Sequence, residues 1–326
     1  MLDTKDQNPF AISMESQMKS AQQQAANSIN YLDDNSAMTS DSGYAHGSGF
    51  NGFVLGTVTF DHQANNGTYS QHDTTGGVLA GVDYRLNRNW VVGALFNWNY
   101  TGGTVDNING GQQVSSYTPG LFAGYRKHNF YVDALATYTY NTYRINRNIP
   151  IPGSASVATG EPRANQYDAG ILAGYNVIAA HGLKVGPAAG IGFTQMNISG
   201  FNETGSPFDM SVSKQHADSL RTLLGAQGQY TMKMQNLPLP ISLNFDAFWQ
   251  HECLNSARGI TSSFSQVSGG QFMYGTPGPS RDSALLGFGA SGYLAKGVSL
   301  FVNYQTQIGE RSQFAQTVMA GVAVKF

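Results

Sequence analysis

No apolar run in this 326-residue sequence reaches the roughly 18 residues that a membrane-spanning helix needs. Charged residues make up only 12% of the chain, about half of the share found in soluble domains. The formal net charge of −2 gives no electrostatic basis for binding nucleic acid. The single cysteine, Cys253, excludes an internal disulfide framework. These absences disfavour a helical membrane protein, a nucleic-acid-binding protein and a disulfide-rich secreted domain.

Glycine and aromatic residues are abundant instead. The chain contains 39 glycines, 17 tyrosines and 18 phenylalanines, and its mean hydropathy is −0.26. Low charge, frequent Gly and Tyr and no hydrophobic helix are typical of outer-membrane β-barrels, in which the signal of each strand is weak. Alternation of polarity is therefore the informative pattern, rather than hydrophobic runs.

The closing stretch, residues 312–326, alternates clearly. The row of every second residue that ends on Phe326 is almost entirely apolar, whereas the other row, which includes Lys325, is small or polar. A period of two predicts a β-strand with unlike faces. A strand that closes the chain must pair or remain an open edge. Pairing with the first strand of a barrel would remove that edge.

Eleven earlier segments from residue 48 onwards share this period. The twelve predicted strands are 48–61, 75–87, 89–101, 112–127, 129–147, 164–178, 183–199, 216–232, 240–253, 282–295, 297–309 and 312–326. Their second rows hold Gly, Asn, Thr and Ser rather than the Lys and Glu of a water-facing sandwich surface. Such rows suit an enclosed aqueous lumen. The sequence therefore predicts an all-β fold, a 12-stranded antiparallel transmembrane β-barrel with its apolar rows towards lipid and aromatic residues near both strand ends.

The connections between these strands alternate between short and long. The short ones are 87–89, 127–129, 179–182 and 295–297, with 233–239 as a longer member of the same set, and the long ones are 61–74, 102–111, 148–163, 200–215 and 254–281. The connection 310–311, where a long one is expected, is an exception. Short turns on one side and long loops on the other match the periplasmic and extracellular sides of outer-membrane barrels. We therefore expect the bacterial outer membrane as the location, with outer-membrane lipid around the barrel.

The region before the barrel divides into three parts. Residues 1–10 are predicted to be a disordered tail, residues 11–32 a helix and residues 33–47 a loop that leads into the barrel, residues 48–326. The 22 residues of the helix would run roughly 33 Å, close to the thickness of a bilayer. The helix is rich in Gln, Ser and Asn and cannot face lipid. It is interpreted as an α-helix in the hydrated lumen, and the alternative is a marginal exposed helix or linker.

At this point the sequence resembles the autotransporter translocator domain, the β-domain of type V secretion systems. The stretches that carry the resemblance are 76–86 with 89–94, 218–226, and 286–290 with 298–304 and 321–326. The resemblance implies a barrel that anchors a passenger domain, encoded amino-terminal to it, or helps it across the outer membrane. It also implies that the helix threads the pore and that the barrel-assembly machinery reads Phe326 as an assembly signal.

Residues 1–6 have no apolar core of the kind that a secretory signal requires. Because an outer-membrane barrel must be exported, we expect the chain to be part of a longer precursor.

Charged residues on the predicted inward rows are the candidate contacts of the helix. They are Asp83, Arg85, Arg126, Asp133, Asp168, Lys184, Arg221 and Asp246. One interpretation is an ion-pair network that holds the helix, although solvated pairs each contribute little. The alternative is passive polarity of the lumen lining.

Some members of the family cut their own linker with an Asn in the helix and acidic lumen residues. Asn27 or Asn30 could supply the first, and the four inward Asp residues the second. The simpler interpretation is that these are ordinary polar positions, and no Ser/His/Asp constellation has supporting context. We therefore predict a protein that is not an enzyme and has no catalytic residues.

The candidate metal ligands are the run His251, Glu252 and Cys253 and the histidines at positions 62, 72 and 216. Their spacing fits no known closed metal site. We predict no metal and no cofactor.

Two other functions remain open from the sequence. A passive porin-like diffusion channel, with residues 1–47 as a disordered tail, would conduct ions with or without that tail. A soluble β-rich binding module would purify without detergent.

Overall fold

The structure is a computed structural model that describes residues 49–65, 69–105, 110–151, 154–178, 182–232, 240–254, 258–266, 270–276, 280–295, 297–309 and 313–326. The predicted tail 1–10, helix 11–32 and loop 33–47 lie outside these ranges. Within them, no helix is both long enough and apolar enough to span a membrane.

Eighteen strands account for most of the described residues. They are β1 (Phe50–Asn65), β2 (Tyr69–Arg85), β3 (Trp90–Val105), β4 (Gly110–Lys127), β5 (Phe130–Ile151), β6 (Ser154–Gly160), β7 (Arg163–Tyr175), β8 (Val177–Ile178), β9 (Leu183–Ile198), β10 (Phe201–Asn202), β11 (Met210–Val212), β12 (Gln215–Met232), β13 (Ile241–Glu252), β14 (Arg258–Phe264), β15 (Gln271–Thr276), β16 (Asp282–Ala295), β17 (Val298–Gly309) and β18 (Gln313–Lys325).

Twelve of these strands close into an antiparallel barrel. The order around the wall is β1, β2, β3, β4, β5, β7, β9, β12, β13, β16, β17 and β18. β18 then pairs with β1 from Asn51↔Lys325 to Gln63↔Gln313. The predicted 12-stranded antiparallel barrel is thereby confirmed, including the pairing of the last strand with the first. We call the end with the short turns, such as that between β2 and β3, the turn end, and the opposite end the loop end.

Several strands run further than the sequence predicted. β1 and β2 remain paired out to Asn65↔Tyr69, and β5 continues to Ile151, where β6 pairs with its extension. The strands therefore stay paired beyond the segments in which one face is apolar. In these extensions the sequence does not alternate between apolar and polar residues, so they could not be predicted as strands.

The two faces of the wall have opposite environments. The apolar rows are exposed, as at Val54 (53%) and Leu121 (67%), whereas the polar rows are buried, as at Asn97 (1%) and Asp133 (0%). A soluble sandwich would bury its apolar rows instead. The arrangement is that of a barrel whose outer surface suits lipid and whose inner surface is polar.

The long connections 200–215 and 254–281 were predicted to be loops, but each contains short strands. β10, β11, β14 and β15 pair in that order into a separate four-stranded sheet, which we call the cap. Met210, Val212 and Ile260 of the cap form one buried apolar cluster with inward residues of the wall, including Met196. The cap therefore packs against the inner surface of the barrel at the loop end. The cap could not be recognised in the sequence because its strands are only two to seven residues long.

A buried ion pair joins the wall to the connection between β10 and β11. The Arg147 Nη2 atom lies 2.5 Å from Oε2 of Glu203, whose side chain is 1% exposed. The same carboxylate oxygen accepts a hydrogen bond of 2.9 Å from the backbone N–H of Met210.

We expect Glu203→Ala to release the cap, because it leaves the Arg147 guanidinium without its buried carboxylate. The loss of local stability should be about 2–3 kcal/mol, and limited proteolysis of the folded barrel should cut residues 199–214 faster. The matched control is Glu161→Ala, which removes a pair with Arg144 that is 4.0 Å long and more than half exposed on both sides. Equal cleavage of the two variants would contradict this role for Glu203.

Candidate functional site

The barrel lumen is the candidate functional site, and its width follows from the number of strands. Twelve strands about 4.8 Å apart and tilted by about 40° give a circumference of about 75 Å and a backbone diameter of about 24 Å. Side chains of about 6 Å on each side leave a bore of about 12 Å, which is the width of one α-helix with its side chains. The lumen therefore has room for a single helix.

All eight charged residues that the sequence placed inwards lie on the rows that face the lumen. They are Asp83 and Arg85 on β2, Arg126 on β4, Asp133 on β5, Asp168 on β7, Lys184 on β9, Arg221 on β12 and Asp246 on β13. The structure describes their wall environment, and their contact with the helix stays a prediction.

A direct ion pair joins two members of this set, Arg126 and Asp133. Arg126 donates from Nη1 to Oδ1 of Asp133 at 2.8 Å and from Nη2 to Oδ2 at 2.9 Å. This two-pronged geometry is the strongest arrangement for a guanidinium and a carboxylate. The guanidinium also lies over the ring of Tyr131, 5.0 Å from its centroid. The pair is therefore held rigidly against the wall near the turn end.

Other members of the set have partners that the sequence did not identify. The Asp168 carboxylate accepts hydrogen bonds from Thr194 Oγ1 at 2.7 Å and from Gln166 Nε2 at 3.1 Å. Arg221 donates from Nε to the buried Glu252 at 2.9 Å. From the sequence, Glu252 was a candidate only as a metal ligand. The pairing of β12 with β13 in the structure places Glu252 directly opposite Arg221.

A belt of apolar side chains interrupts the polar lining, and the sequence reasoning missed it. The belt is broken between β16 and β17, where Leu285 lies opposite Gln307, six residues along β17 from Phe301. We call this belt the collar. Its members are Phe53, Leu55, Leu79, Leu95, Phe122, Tyr131, Leu135, Leu172, Ala188, Leu223, Phe248, Leu285, Phe301, Met319 and Ala323. Every one of the twelve barrel strands contributes at least one of them. In the sequence, the collar corresponds to one or two apolar residues on each otherwise polar inward row. These residues look like isolated exceptions until the register of the strands is known.

Glycines on neighbouring strands make space for the collar. Phe122 lies directly opposite Gly93, and a Cβ atom at Gly93 would stand 2.2 Å from the Phe122 Cζ atom. The same relation holds for Phe301 and Gly321, at 2.4 Å. Each ring therefore lies flat along the wall, over a position without a side chain. At these positions the space that an inward glycine leaves is filled by the ring of a neighbouring strand.

Tyr131 shows how far such a side chain can extend along the wall. It crosses Gly174 on β7, where a Cβ atom would lie 2.2 Å from the tyrosine hydroxyl oxygen. The hydroxyl then donates a hydrogen bond to the Gln227 side chain on β12. One side chain therefore ties β5 to a strand three positions away around the barrel.

Of the candidate metal ligands, His62 and His72 come together across the paired strands β1 and β2, with 3.1 Å between their Nδ1 atoms, and the others do not join them. His251 faces outwards and contacts Asp282, with 2.8 Å between Nδ1 and Oδ1, whereas the neighbouring Glu252 faces the lumen and accepts from Ser219 Oγ. Cys253 is exposed. Across the ranges that the structure describes, no group of three or more His, Cys, Asp or Glu side chains could hold a metal ion.

We expect Gly174→Ala to destabilise the barrel by about 1–3 kcal/mol, because the added methyl group displaces the Tyr131 ring from the wall. The measurement is the urea concentration at which the compact folded band is lost on an unheated gel. Gly192→Ala is the matched control, since Gly192 lies on an inward row with no atom within 4 Å of an added Cβ. A similar shift for both variants would show that Tyr131 does not depend on the glycine.

Comparison with known proteins identifies the family. The sequence model of the autotransporter β-domain matches residues 52–305, which is most of the chain. Outer membrane protein A of Rickettsia rickettsii is 24% identical over 269 residues, which cover 78% of this chain but only 12% of that protein.

Two solved structures have the same fold. The translocator domain of the autotransporter NalP from Neisseria meningitidis matches with a TM-score of 0.68 at 15% identity, over 93% of this chain and 98% of that domain. The β-domain of the Bordetella autotransporter BrkA matches with a TM-score of 0.61 at 18% identity, over 85% and 99% of the two chains. Together with its closed lipid-facing barrel, the family match shows that this chain belongs to the autotransporter β-domain family and is a non-catalytic outer-membrane translocator barrel of type V protein secretion.

Proposed function

We propose that residues 11–32 form the helix that threads this barrel and connects it to a passenger domain amino-terminal to the chain. In this proposal residues 1–10 are a flexible tail, residues 33–47 a connecting loop and residues 48–326 the membrane barrel. The observation that carries the proposal is the closed wall of twelve strands, which leaves a bore about as wide as one α-helix.

The path of the chain into the barrel supports this arrangement. Gly49 lies at the turn end, where its carbonyl accepts a hydrogen bond of 3.1 Å from the Arg85 N–H. In the outer membrane the turn end faces the periplasm. A segment that precedes residue 49 and reaches the cell exterior must therefore pass through the bore, and 22 helical residues span roughly 33 Å.

The charge of the lumen also suits such a helix. The eight inward residues comprise four carboxylates and four cations, so their formal charges cancel. Within residues 11–32 the only charged side chains are Glu15 and Lys19, one turn apart, where they can neutralise each other. A segment with so little net charge brings no large desolvated charge into the lumen, and we propose that the eight wall residues supply polar contacts to it.

The outer surface of the barrel and its last strand suggest two further partners. The exposed apolar rows suit the hydrocarbon of the outer membrane. The last strand ends on Phe326, whose side chain is 81% exposed and whose N–H donates to the Phe50 carbonyl at 2.9 Å. We propose that the barrel-assembly machinery recognises this strand and Phe326 before β18 closes onto β1.

Planar-bilayer conductance tests the proposal. The complete chain should conduct poorly, because the helix fills the bore, and deletion of residues 1–35 should produce a steady open pore. Deletion of residues 1–10 alone is the control and should leave the conductance low. A complete chain that conducts as well as the 1–35 deletion would instead support the passive diffusion channel.

A further inference from the structure

The loop end of β1 and β2 brings two carboxylates together on the inner surface of the wall. Asp61 and Asp73 lie directly opposite each other in the paired strands. Both belong to the inward rows, to which the buried Thr57 and Thr75 also belong. Like charges at opposite positions of an antiparallel pair repel each other. Both aspartates lie within the predicted connection 61–74, so their proximity follows only from the extension of the two strands.

Two buried glutamines lie beside this pair. Gln71 donates from Nε2 to Oδ2 of Asp73 at 2.5 Å, and Gln112 on β4 donates from Nε2 to Oδ1 of Asp73 at 3.1 Å. The two glutamines are only 2% and 5% exposed. Within the described part of the chain, their Oε1 atoms are buried without a hydrogen-bond partner. Buried polar atoms are rarely left unsatisfied, so two such oxygens beside two carboxylates favour a ligand of positive charge.

A glycine on the intervening strand allows these side chains to converge. Gly103 on β3 lies opposite Asp73 on one side and opposite Gln112 on the other. A Cβ atom at Gly103 would stand 1.8 Å from Oδ1 of Asp73 and 3.0 Å from Cγ of Gln112. Asp73 and Gln112 therefore meet over a position that has no side chain, although a whole strand separates them.

We propose that Asp61, Gln71, Asp73 and Gln112 form a calcium site at the loop end of the barrel. The two carboxylates balance the charge of Ca²⁺, and the side-chain amide oxygens of the two glutamines are the other protein ligands. Ca²⁺ takes about six to eight oxygen ligands at about 2.3–2.6 Å, so water fills the remaining positions. This role goes beyond the proposed translocator function and does not depend on the helix.

The donor atoms select a hard cation over transition metals. All four side chains offer oxygen, which suits Ca²⁺ and Mg²⁺, whereas Zn²⁺ and Cu²⁺ are bound more readily through nitrogen and sulfur. His62 and His72 lie on the same two strands but on the outward rows, so their nitrogens face away from the site. Mg²⁺ requires a strict octahedron and keeps several of its waters, so a cluster of four protein oxygen donors on flexible side chains favours Ca²⁺.

A half-turn of each glutamine amide makes the observed contacts compatible with a bound ion. The oxygen and nitrogen of an amide group occupy interchangeable positions. The turn places each Oε1 atom where Nε2 now lies, 2.5 Å and 3.1 Å from the oxygens of Asp73. Oxygen ligands around one Ca²⁺ ion are about 3 Å apart, so only small shifts of the side chains are needed.

The calcium site braces a part of the mouth that the cap does not reach. It joins β1, β2 and β4 across β3, whereas the wall residues of the cap cluster come from β4 and the strands that follow it. Beyond the site, β1 and β2 continue as a pair to Asn65↔Tyr69. An ion that binds only the folded state stabilises that state, so Ca²⁺ stabilises the loop-end extension of this first hairpin.

Calorimetric titration with CaCl₂ tests the site. The complete chain is refolded in detergent without lipopolysaccharide, and divalent ions are removed with EGTA, which is then dialysed away. One Ca²⁺ ion per chain should bind with a Kd of about 10⁻⁴–10⁻³ M, the range of extracellular calcium modules. Asp61→Asn should weaken binding roughly ten-fold or more, because the charge of the ligands sets the affinity. Gln112→Leu should weaken it several-fold, because it removes one oxygen ligand at similar side-chain volume.

The matched control is Asp218→Asn, which removes a carboxylate on the outward row of β12 at the loop end, where its side chain is 37% exposed. This variant should bind Ca²⁺ as the unaltered chain does. Each variant is titrated only after an unheated gel has shown the folded band, and either ligand variant is sufficient if the other does not fold. An unaltered chain that binds no Ca²⁺, or a folded ligand variant with unchanged affinity, would overturn the site. Neither result bears on the helix, which the conductance experiment tests separately.

Discussion

The backbone ladder between β1 and β18 is the constraint on which the rest of this structure depends. It brings together the two ends of a wall about 270 residues long, with pairs from Asn51↔Lys325 to Gln63↔Gln313. In the hydrocarbon of a bilayer an unpaired strand edge would leave its N–H and C=O groups without partners, at a cost of several kcal/mol for each group. Closure removes that edge, and it also fixes which residues face inwards, because a shift of one residue would turn every side chain to the other face.

Closure also sets the size of the lumen. Once twelve strands form the wall, the bore is limited to about one helix, and each inward side chain must share that space. The wall meets this limit by setting a large residue on one strand opposite a glycine on the next, as with Phe122 and Gly93. The abundance of glycine that first suggested a barrel is therefore a packing requirement of the inner surface at these positions.

The strands and their faces could be predicted from the sequence because they depend on local alternation. Val78, Ala80 and Val82 predict the outer face of β2 without knowledge of any neighbour. The collar and the cap could not be predicted in this way. Leu95 and Leu135 form one belt only when the strands are aligned, and Glu203 meets Arg147 across 56 residues of sequence. The same alternation was enough to predict that the eight charged residues face inwards. To predict that Glu252 pairs with Arg221, one would also have to know the register of β12 with β13.

The collar and the cap differ in a way that bears on secretion. The cap cluster draws its wall residues from β4, β5, β7, β9 and β12, so it covers the side of the mouth formed by those strands. The collar draws on all twelve strands. The cap therefore narrows the mouth at the loop end from one side, whereas the apolar residues of the collar come from every side of the wall.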